Sequence, residues 1–366
     1  MVTKVKLKPR NFLVYLAGFL LFSCSSKEAA QDKPELDIGS VDATTPVWDL
    51  LEHLGETPPS HRPAITEQAL IETGRQLVHS GKSESPATGE MGVRISAYFY
   101  CTDCHTVSRE ESSLARISDP ETKLDYLIEN NIPLLQGSTF AGMVNRESWY
   151  NGDYARKYRF SPAVRAARTS LTKAIELCSR ECSQGRDPED WEMQAMVAYF
   201  WSLQWTLGDL GFTTVDLAEM KRRSLNPTEF PSLIREIQSR FATAAPATFG
   251  SPPADPKVGY SIAREPDLNT GKEVWERSCL HCHGAEGASE HYFKDKSDTW
   301  ASLNRKFGSE SKKSIYGLIR LGTEPDQDDK AYMPNYPKER LSDAQIEDLR
   351  AFISSKAEES ATTSTE

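Results

Sequence analysis

The sequence predicts a mainly α-helical protein of two tandem helical domains joined by a proline-rich linker. Two long segments carry apolar side chains at helical spacing, and neither shows the sustained alternation that is typical of a β-strand. The apolar series 346–353 follows Ser342 and Gln345, whose spacing is that of a helix-capping box. Pro188 precedes the aromatic-rich segment 189–205, and a proline at the first position favours the start of a helix.

Composition shifts along the chain divide it into segments. Residues 25–46 are polar without apolar periodicity, and 241–256 contain four prolines among small residues, as a linker crossed by few contacts would. The sequence therefore predicts a signal peptide at 1–23, a flexible tether at 24–63, a first domain at 64–212, a linker at 213–258, a second domain at 259–355 and a disordered tail at 356–366.

The N-terminus has the features of an export signal. Four Lys and Arg residues precede the apolar stretch 12–22, which is too short to cross a bilayer as a helix. The stretch ends in Leu-Phe-Ser-Cys24, which resembles a bacterial lipobox, where cleavage leaves a lipidated Cys24. We therefore expect an exported lipoprotein, anchored to a membrane and facing the periplasm or the cell surface.

The charge of the chain argues against a nucleic-acid partner. The 366 residues carry a net charge of −10, and removing the signal peptide takes away four positive charges and no negative ones, which leaves −14. Proteins that bind nucleic acid cluster Lys and Arg against the phosphates. The composition, with 38% hydrophobic and 26% charged residues, is that of a globular protein.

Each predicted domain contains one Cys-x-x-Cys-His motif. The first is Cys101, Cys104 and His105, and the second is Cys279, Cys282 and His283. Two cysteines at this spacing reach the two vinyl groups of one haem and form thioethers, and the adjacent imidazole becomes the proximal iron ligand. The sequence therefore predicts two covalently bound haem c groups.

The sixth iron ligand of the second motif is predicted from a Met-Pro sequence. Met333 precedes Pro334 and lies 50 residues beyond His283, just before the final predicted helix. A thioether from such a loop gives His/Met ligation, which raises the reduction potential. The block, from Gly271 through the haem motif to the final helix, resembles a class I cytochrome c domain.

The sixth ligand of the first motif has three candidates. Met143 lies 38 residues after His105 and offers a thioether. Cys178 and Cys182 belong to neither haem motif, and a thiolate from one of them would lower the potential of the iron. Their spacing also allows a disulfide to be considered, although an intact helix orients the side chains poorly for one.

The first block is similar to the N-terminal haem domain of thiosulfate dehydrogenases and related Sox-type sulfur-oxidising cytochromes. The similarity is carried by GRQL at 74–77, CTDCH at 101–105, and IELCSRECSQGR at 175–186. It implies that Cys178 is the distal ligand of a catalytic haem. The family has an arginine four residues before that cysteine, which helps to hold an anionic substrate, and this chain has Ala174 there.

These observations favour an electron carrier over an enzyme. Two haems in tandem suffice for electron transfer, and an acidic surface would be steered to basic redox partners such as a cytochrome or an oxidase. The alternative is a dihaem oxidoreductase that oxidises a small anionic sulfur compound at the first haem. In it Cys178 would be the distal ligand, and the anion would be attracted by Lys173, Arg165, Arg168 and Arg186.

Overall fold

The computed structural model describes residues 36–64, 67–150, 153–154, 162–285, 287–289, 293, 299–323 and 332–363. The predicted signal peptide 1–23 and Cys24 lie outside these residues. Within them the chain is helical and forms no β-strand, as predicted. The α-helices are α1 Val47–His53, α2 Gln68–Ser80, α3 Pro120–Glu129, α4 Pro162–Ala167, α5 Leu171–Leu177, α6 Asp190–Ser202, α7 Thr214–Arg223, α8 Phe230–Gln238, α9 Leu268–Val274, α10 Leu280–His283, α11 Trp300–Phe307, α12 Ile315–Leu321 and α13 Asp343–Thr363.

Helices α2 and α6 pack against each other around the first haem motif. They cross at Gly74, where an added Cβ would lie 1.9 Å from the backbone oxygen of Ala195, so only glycine permits this approach. The core between them contains Leu77, Phe200 and Trp201. The capping box at the start of α6, between Glu189 and Glu192, holds the end of this helix in place.

Helices α9 and α13 repeat this arrangement around the second haem motif. They cross at Gly271, where an added Cβ would lie 2.1 Å from the backbone oxygen of Asp348. The buried side chains of Val274 and Ile353 contribute to the core beside this crossing. Each half of the chain therefore has a pair of closely crossed helices near its motif.

Two segments predicted to lack structure are instead helical and buried. Helix α1 lies in the predicted tether, and α7 and α8 lie in the predicted linker. Apolar residues of all three form one core with Trp205, and that core includes Leu50, Leu217, Leu233 and Ile237. Burial of these side chains stabilises the segments, which are too short to be helical alone.

The two halves share a core, so the expectation of few contacts across the linker is wrong for this part of the structure. Helix α3 belongs to the predicted first domain, yet its Leu124 and Leu127 pack with Ile346 and Leu349 of α13. Leu36–Glu366 form a single compact unit. Helix α13 also continues to Thr363, through most of the tail that was predicted to be disordered.

None of the helices in the described residues combines the length and the apolar character needed to span a bilayer.

Candidate haem-attachment sites

The first motif begins with a short 3-10 turn at Cys101–Asp103. The backbone N–H of Tyr100 donates to the Asp103 carboxylate at 2.6 Å, and the N–H of His105 donates to the Cys101 carbonyl at 3.1 Å. These bonds fold the motif so that both thiols and the imidazole are half-buried together. Burial raises the pKa of Cys101 to about 12 and that of Cys104 well above its ordinary value, so both are neutral thiols.

The imidazole of His105 is oriented as a proximal iron ligand requires. Its Nδ1 lies 2.7 Å from the backbone oxygen of Ser138, and a carbonyl only accepts, so Nδ1 carries the proton. The lone pair is therefore on Nε2, and burial lowers the pKa of His105, which keeps the ring neutral. Phe140 stacks on the ring at 4.6 Å, and an added Cβ at Gly137 would lie 2.3 Å from the imidazole Cε1.

Cys178 and Cys182 lie beside the first motif. They are the ends of a π-helical turn that continues α5, closed by the Ser183 N–H donating to the Cys178 carbonyl at 2.8 Å. Both are free thiols, and electrostatic interactions link Cys178 with Cys101 and Cys104, and Cys182 with Cys104. The structure therefore brings together residues that are about 75 positions apart in sequence.

Cys182 is more readily ionised than Cys178. Cys178 donates a hydrogen bond to the Cys182 sulfur, which lowers the pKa of Cys182 to about 7 and raises that of Cys178. The Tyr150 hydroxyl, 3.7 Å from the Cys182 sulfur, adds a second donor, and Tyr332 adds a third. The anion of this pair is therefore stabilised on Cys182.

Met143 occupies a different environment. It lies in a short turn, its N–H donates to the Phe140 carbonyl at 3.0 Å, and its side chain is buried in the core between α2 and α6. Phe140 is the residue that stacks on His105. Met143 is thus bonded through its backbone to the residue that stacks on His105, and its side chain is committed to the core between α2 and α6.

The second motif forms the end of one continuous helical stretch. A π-helical turn at Trp275–Cys279 follows α9, and α10 then carries Cys282 and His283. Burial raises the pKa of Cys279 to about 12 and of Cys282 to about 11. The ring of His283 packs against Phe293 at 4.5 Å, much as His105 packs against Phe140. His281, inside the motif, is exposed.

Met333 is held in its loop by two hydrogen bonds with Thr323. Its N–H donates to the Thr323 hydroxyl at 2.7 Å, and the Thr323 N–H donates to the Met333 carbonyl at 2.9 Å. Gly322, with φ of +73°, makes room, because an added Cβ there would lie 2.5 Å from the Met333 oxygen. Met333 packs on the core that contains Cys279 and Trp275.

The side chains around each motif are chemically suited to hold one haem group. Each motif offers two neutral thiols and one imidazole in half-buried positions lined by aromatic rings. At the first motif the Ser138 carbonyl fixes the tautomer that leaves Nε2 free to bind iron. The second has the Met333 thioether in the same core as Cys279.

Two of the four basic residues proposed to attract an anion, Lys173 and Arg186, are paired with carboxylates. Lys173 is exposed and lies 2.8 Å from the Glu176 carboxylate, and Arg186 makes two hydrogen bonds to the buried Glu192. Arg165 and Arg168 are exposed on the surface around α4. Ala174, which stands where the similar family has arginine, is buried in a small apolar core.

Sequence reasoning did not identify three residues of the sites. Gly137 and Ser138 lie 32 and 33 positions beyond His105, and their roles depend on backbone geometry that no sequence motif reveals. Tyr332 directly precedes Met333, and its contact with Cys182 joins segments 150 positions apart. The adjacency to a predicted ligand was the one signal that could have drawn attention to Tyr332.

Comparison with known proteins identifies one family in part of the chain. Residues 268–357 match the family model for cytochrome c. This match covers the second haem motif, Met333 and most of α13, so the chain has a C-terminal cytochrome c domain. A search of curated proteins finds no significant match.

Proposed function

We propose that this protein is an exported, lipid-anchored dihaem c-type cytochrome that transfers electrons in a periplasmic or cell-surface respiratory chain. The C-terminal cytochrome c domain supports an electron-transfer protein with covalently bound haem c. The observation that supports a second haem is that both motifs lie beside a pair of helices that cross at a glycine. The first motif lies beside helices that cross at Gly74, just as the second lies beside helices that cross at Gly271.

The chain's own residues have distinct roles in this proposal. Cys101 and Cys104 attach one haem, Cys279 and Cys282 attach the other, and each iron takes its proximal ligand from the histidine that ends the motif. Bound haem supplies a couple of ferric and ferrous iron that accepts or gives one electron. Met333 provides the sixth ligand of the second site, where its thioether raises the reduction potential.

The position of the thiol pair supports a sixth ligand from sulfur at the first site. Cys178 was the preferred candidate in the sequence, with Cys182 and Met143 as alternatives. Both thiols adjoin the motif, whereas Met143 is bonded to the segment that packs on His105. We therefore retain a thiolate ligand from this pair, and the lower pKa of Cys182 makes both members worth testing.

The acidic surface supports a basic redox partner. A net charge of −14 after removal of the signal peptide would attract a positively charged patch on a cytochrome or an oxidase. The same charge disfavours nucleic acid. Lipidation at Cys24 would hold the protein at the membrane in which a respiratory partner is embedded.

Counting haem groups tests the core of this proposal. Mass spectrometry of the purified full-length product should show two haem adducts, and C101S/C104S and C279S/C282S should each retain one. The N-terminal peptide should begin at a lipid-modified Cys24, and C24A should lack the lipid. A wild-type protein with a single haem would refute the dihaem proposal.

Electron transfer itself is tested by mixing the reduced protein with a basic ferric cytochrome. We expect fast oxidation whose rate falls steeply as salt is raised, because screening weakens attraction between opposite charges. An acidic ferric cytochrome of similar potential is the matched control and should react slowly. Equal rates with both partners would refute the electrostatic part of the proposal.

A second candidate function rests on the thiol pair beside the first motif. A thiolate-ligated haem there would agree with oxidation of a small sulfur anion, as the similarity of the first block implies. Thiosulfate should then reduce the wild-type protein, and C178S should lose this reaction. The pairing of Lys173 and Arg186 with carboxylates leaves less positive charge for an anion, so we favour the electron carrier.

A further inference from the structure

The two haem-attachment motifs lie against each other. The sulfur of Cys282 is 4.0 Å from the backbone oxygen of Asp103, the residue that precedes Cys104. The second cysteines of the two motifs are therefore neighbours, although 178 positions separate them in the sequence.

Backbone contacts hold the second motif in this position. The Leu134 N–H donates to the Arg277 carbonyl at 3.0 Å, two residues before Cys279. The hydroxyl of Tyr336 accepts from Ser278 at 2.5 Å and donates to the Leu134 carbonyl at 3.4 Å. The helix that carries the second motif is thus bonded directly to the segment that follows α3.

A buried ion pair links the segment after the first motif to the start of α13. Arg340, just before α13, bonds to both carboxylate oxygens of Glu110, and its Nε donates to the Leu135 carbonyl at 2.7 Å. Glu110 lies five residues after His105 and accepts a further bond from Thr106 at 2.7 Å. Two separate sets of contacts therefore fix the distance between the motifs.

The closeness of Cys104 and Cys282 determines how the two haems that they attach would lie. A thioether joins the cysteine sulfur to a carbon at the rim of the haem ring, so the sulfur marks that rim. We propose that Cys104 and Cys282 attach the two haems by facing edges, with the Asp103 carbonyl beside the contact, so that the rings are electronically coupled. This inference rests on the proposed dihaem function.

Such a contact would make the pair a single path for electrons. With both haems bound, one electron would leave the iron of one site and enter the iron of the other, so that the first would be oxidised as the second is reduced. The transfer needs no proton and no further reactant. An electron received at either site would then be available at both.

Circular dichroism in the Soret region tests the coupling without measuring activity. Rings in edge contact should give a two-signed Soret signal in the wild-type protein. The variants C101S/C104S and C279S/C282S each hold one haem, and we expect a single-signed signal from each. The measurement uses the full-length protein after mass spectrometry has counted its haems.

The outcomes separate this inference from the proposed function. Two haems with a wild-type spectrum that differs from the sum of the two variants would support the coupling. Two haems with a spectrum equal to that sum would overturn the coupling and leave the dihaem function standing. One haem in the wild-type protein would overturn both.

A measurement on the wild-type protein alone applies if the variants fail to fold. Electron paramagnetic resonance of the fully oxidised protein should show lines broadened by the neighbouring iron. When a reductant is added until half of the irons are ferrous, the remaining lines should sharpen, provided that the reduced site is diamagnetic. Line shapes that stay unchanged through this titration would overturn the proposal.

Discussion

Replacing Arg340 by methionine should destabilise the protein strongly, because it leaves a buried carboxylate without its cation. The side chains of Arg340 and Glu110 are 6% and 2% exposed. Methionine approximates the length of the arginine stem but makes none of its hydrogen bonds. In R340M, Glu110 would keep only the hydroxyl of Thr106 as a described donor, and the Leu135 carbonyl would lose the Arg340 Nε.

The expected loss in the free energy of unfolding follows from the two groups that lose their partner, the Glu110 carboxylate and the Leu135 carbonyl. Removing one partner of a buried ion pair costs about 3–5 kcal/mol, because the other charge stays buried without compensation. The orphaned carbonyl of Leu135 adds to this loss, while partial protonation of Glu110 reduces it. We therefore expect R340M to lower the free energy of unfolding by about 4 kcal/mol.

A double variant separates the ion pair from simple loss of packing. In E110Q/R340M both charges of this pair are removed, while Lys123, Glu111 and Arg146 stay nearby, so the protein should be more stable than R340M by about 2 kcal/mol. Urea unfolding of the haem-loaded protein, followed by tryptophan fluorescence, measures both differences. The control is R222M, which removes an arginine that is 59% exposed and should leave the unfolding midpoint unchanged.

Two results would refute this reasoning. One is an R340M protein whose free energy of unfolding falls by less than about 1 kcal/mol, since that is the range of an exposed pair. The other is a double variant no more stable than R340M, because the buried charge would then not be the cause of the loss.

Three further predictions concern the pH dependence, the helix crossings and the iron ligand. Burial raises the pKa of Glu110, but the Arg340 charge, the hydrogen bonds from Arg340 and Thr106 and the Lys123 charge together hold the pKa below 4.5. The stabilisation from Glu110 is therefore complete above pH 4.5 and is lost as pH falls through the folded-state value, and acid titration of unfolding should show this fall in wild type and less of it in E110Q. G74A and G271A should each lower the free energy of unfolding by about 1–3 kcal/mol, measured by urea unfolding. The control G308A should lower it far less, because its added Cβ would meet nothing closer than 3.5 Å. Equal losses in all three variants would contradict the close helix crossings. M333A should lower the reduction potential of one haem in a spectroelectrochemical titration and leave the other nearly unchanged, and an unaltered pair of potentials would exclude Met333 as a ligand.

The sequence predicted the features that depend on local pattern. The helix at 190–202 followed from the apolar spacing, although its N-cap is Glu189 and Pro188 lies before the helix rather than at its first position. The start of α13 followed from Ser342 and Gln345. The helical class was confirmed for the same reason, since helical periodicity and capping are properties of a few consecutive residues. The second haem motif was likewise evident from its spacing, and it lies in the family match.

The parts that sequence reasoning missed depend on contacts between distant residues. Helix α1 has apolar residues at 47, 50 and 51, and Leu54 follows at its end, which is helical spacing, but seven residues are too few to be helical without a partner. Its partners are Trp205 and helices α7 and α8, more than 150 positions away. Proline-rich composition near 241–256 extended the predicted linker over these helices, although their apolar faces are buried.

The shared core explains why the missed contacts matter for function. If α3 packed only with the first half, the two motifs would be set apart by a linker, and their separation would vary. Instead Leu124 and Leu127 are buried against α13, and Arg340 reaches Glu110 and the Leu135 carbonyl. The packing that sequence periodicity could not reveal is therefore the packing that fixes Cys104 next to Cys282. In this chain the two Cys-x-x-Cys-His motifs are specified by local spacing, whereas the distance between them is a property of the common core.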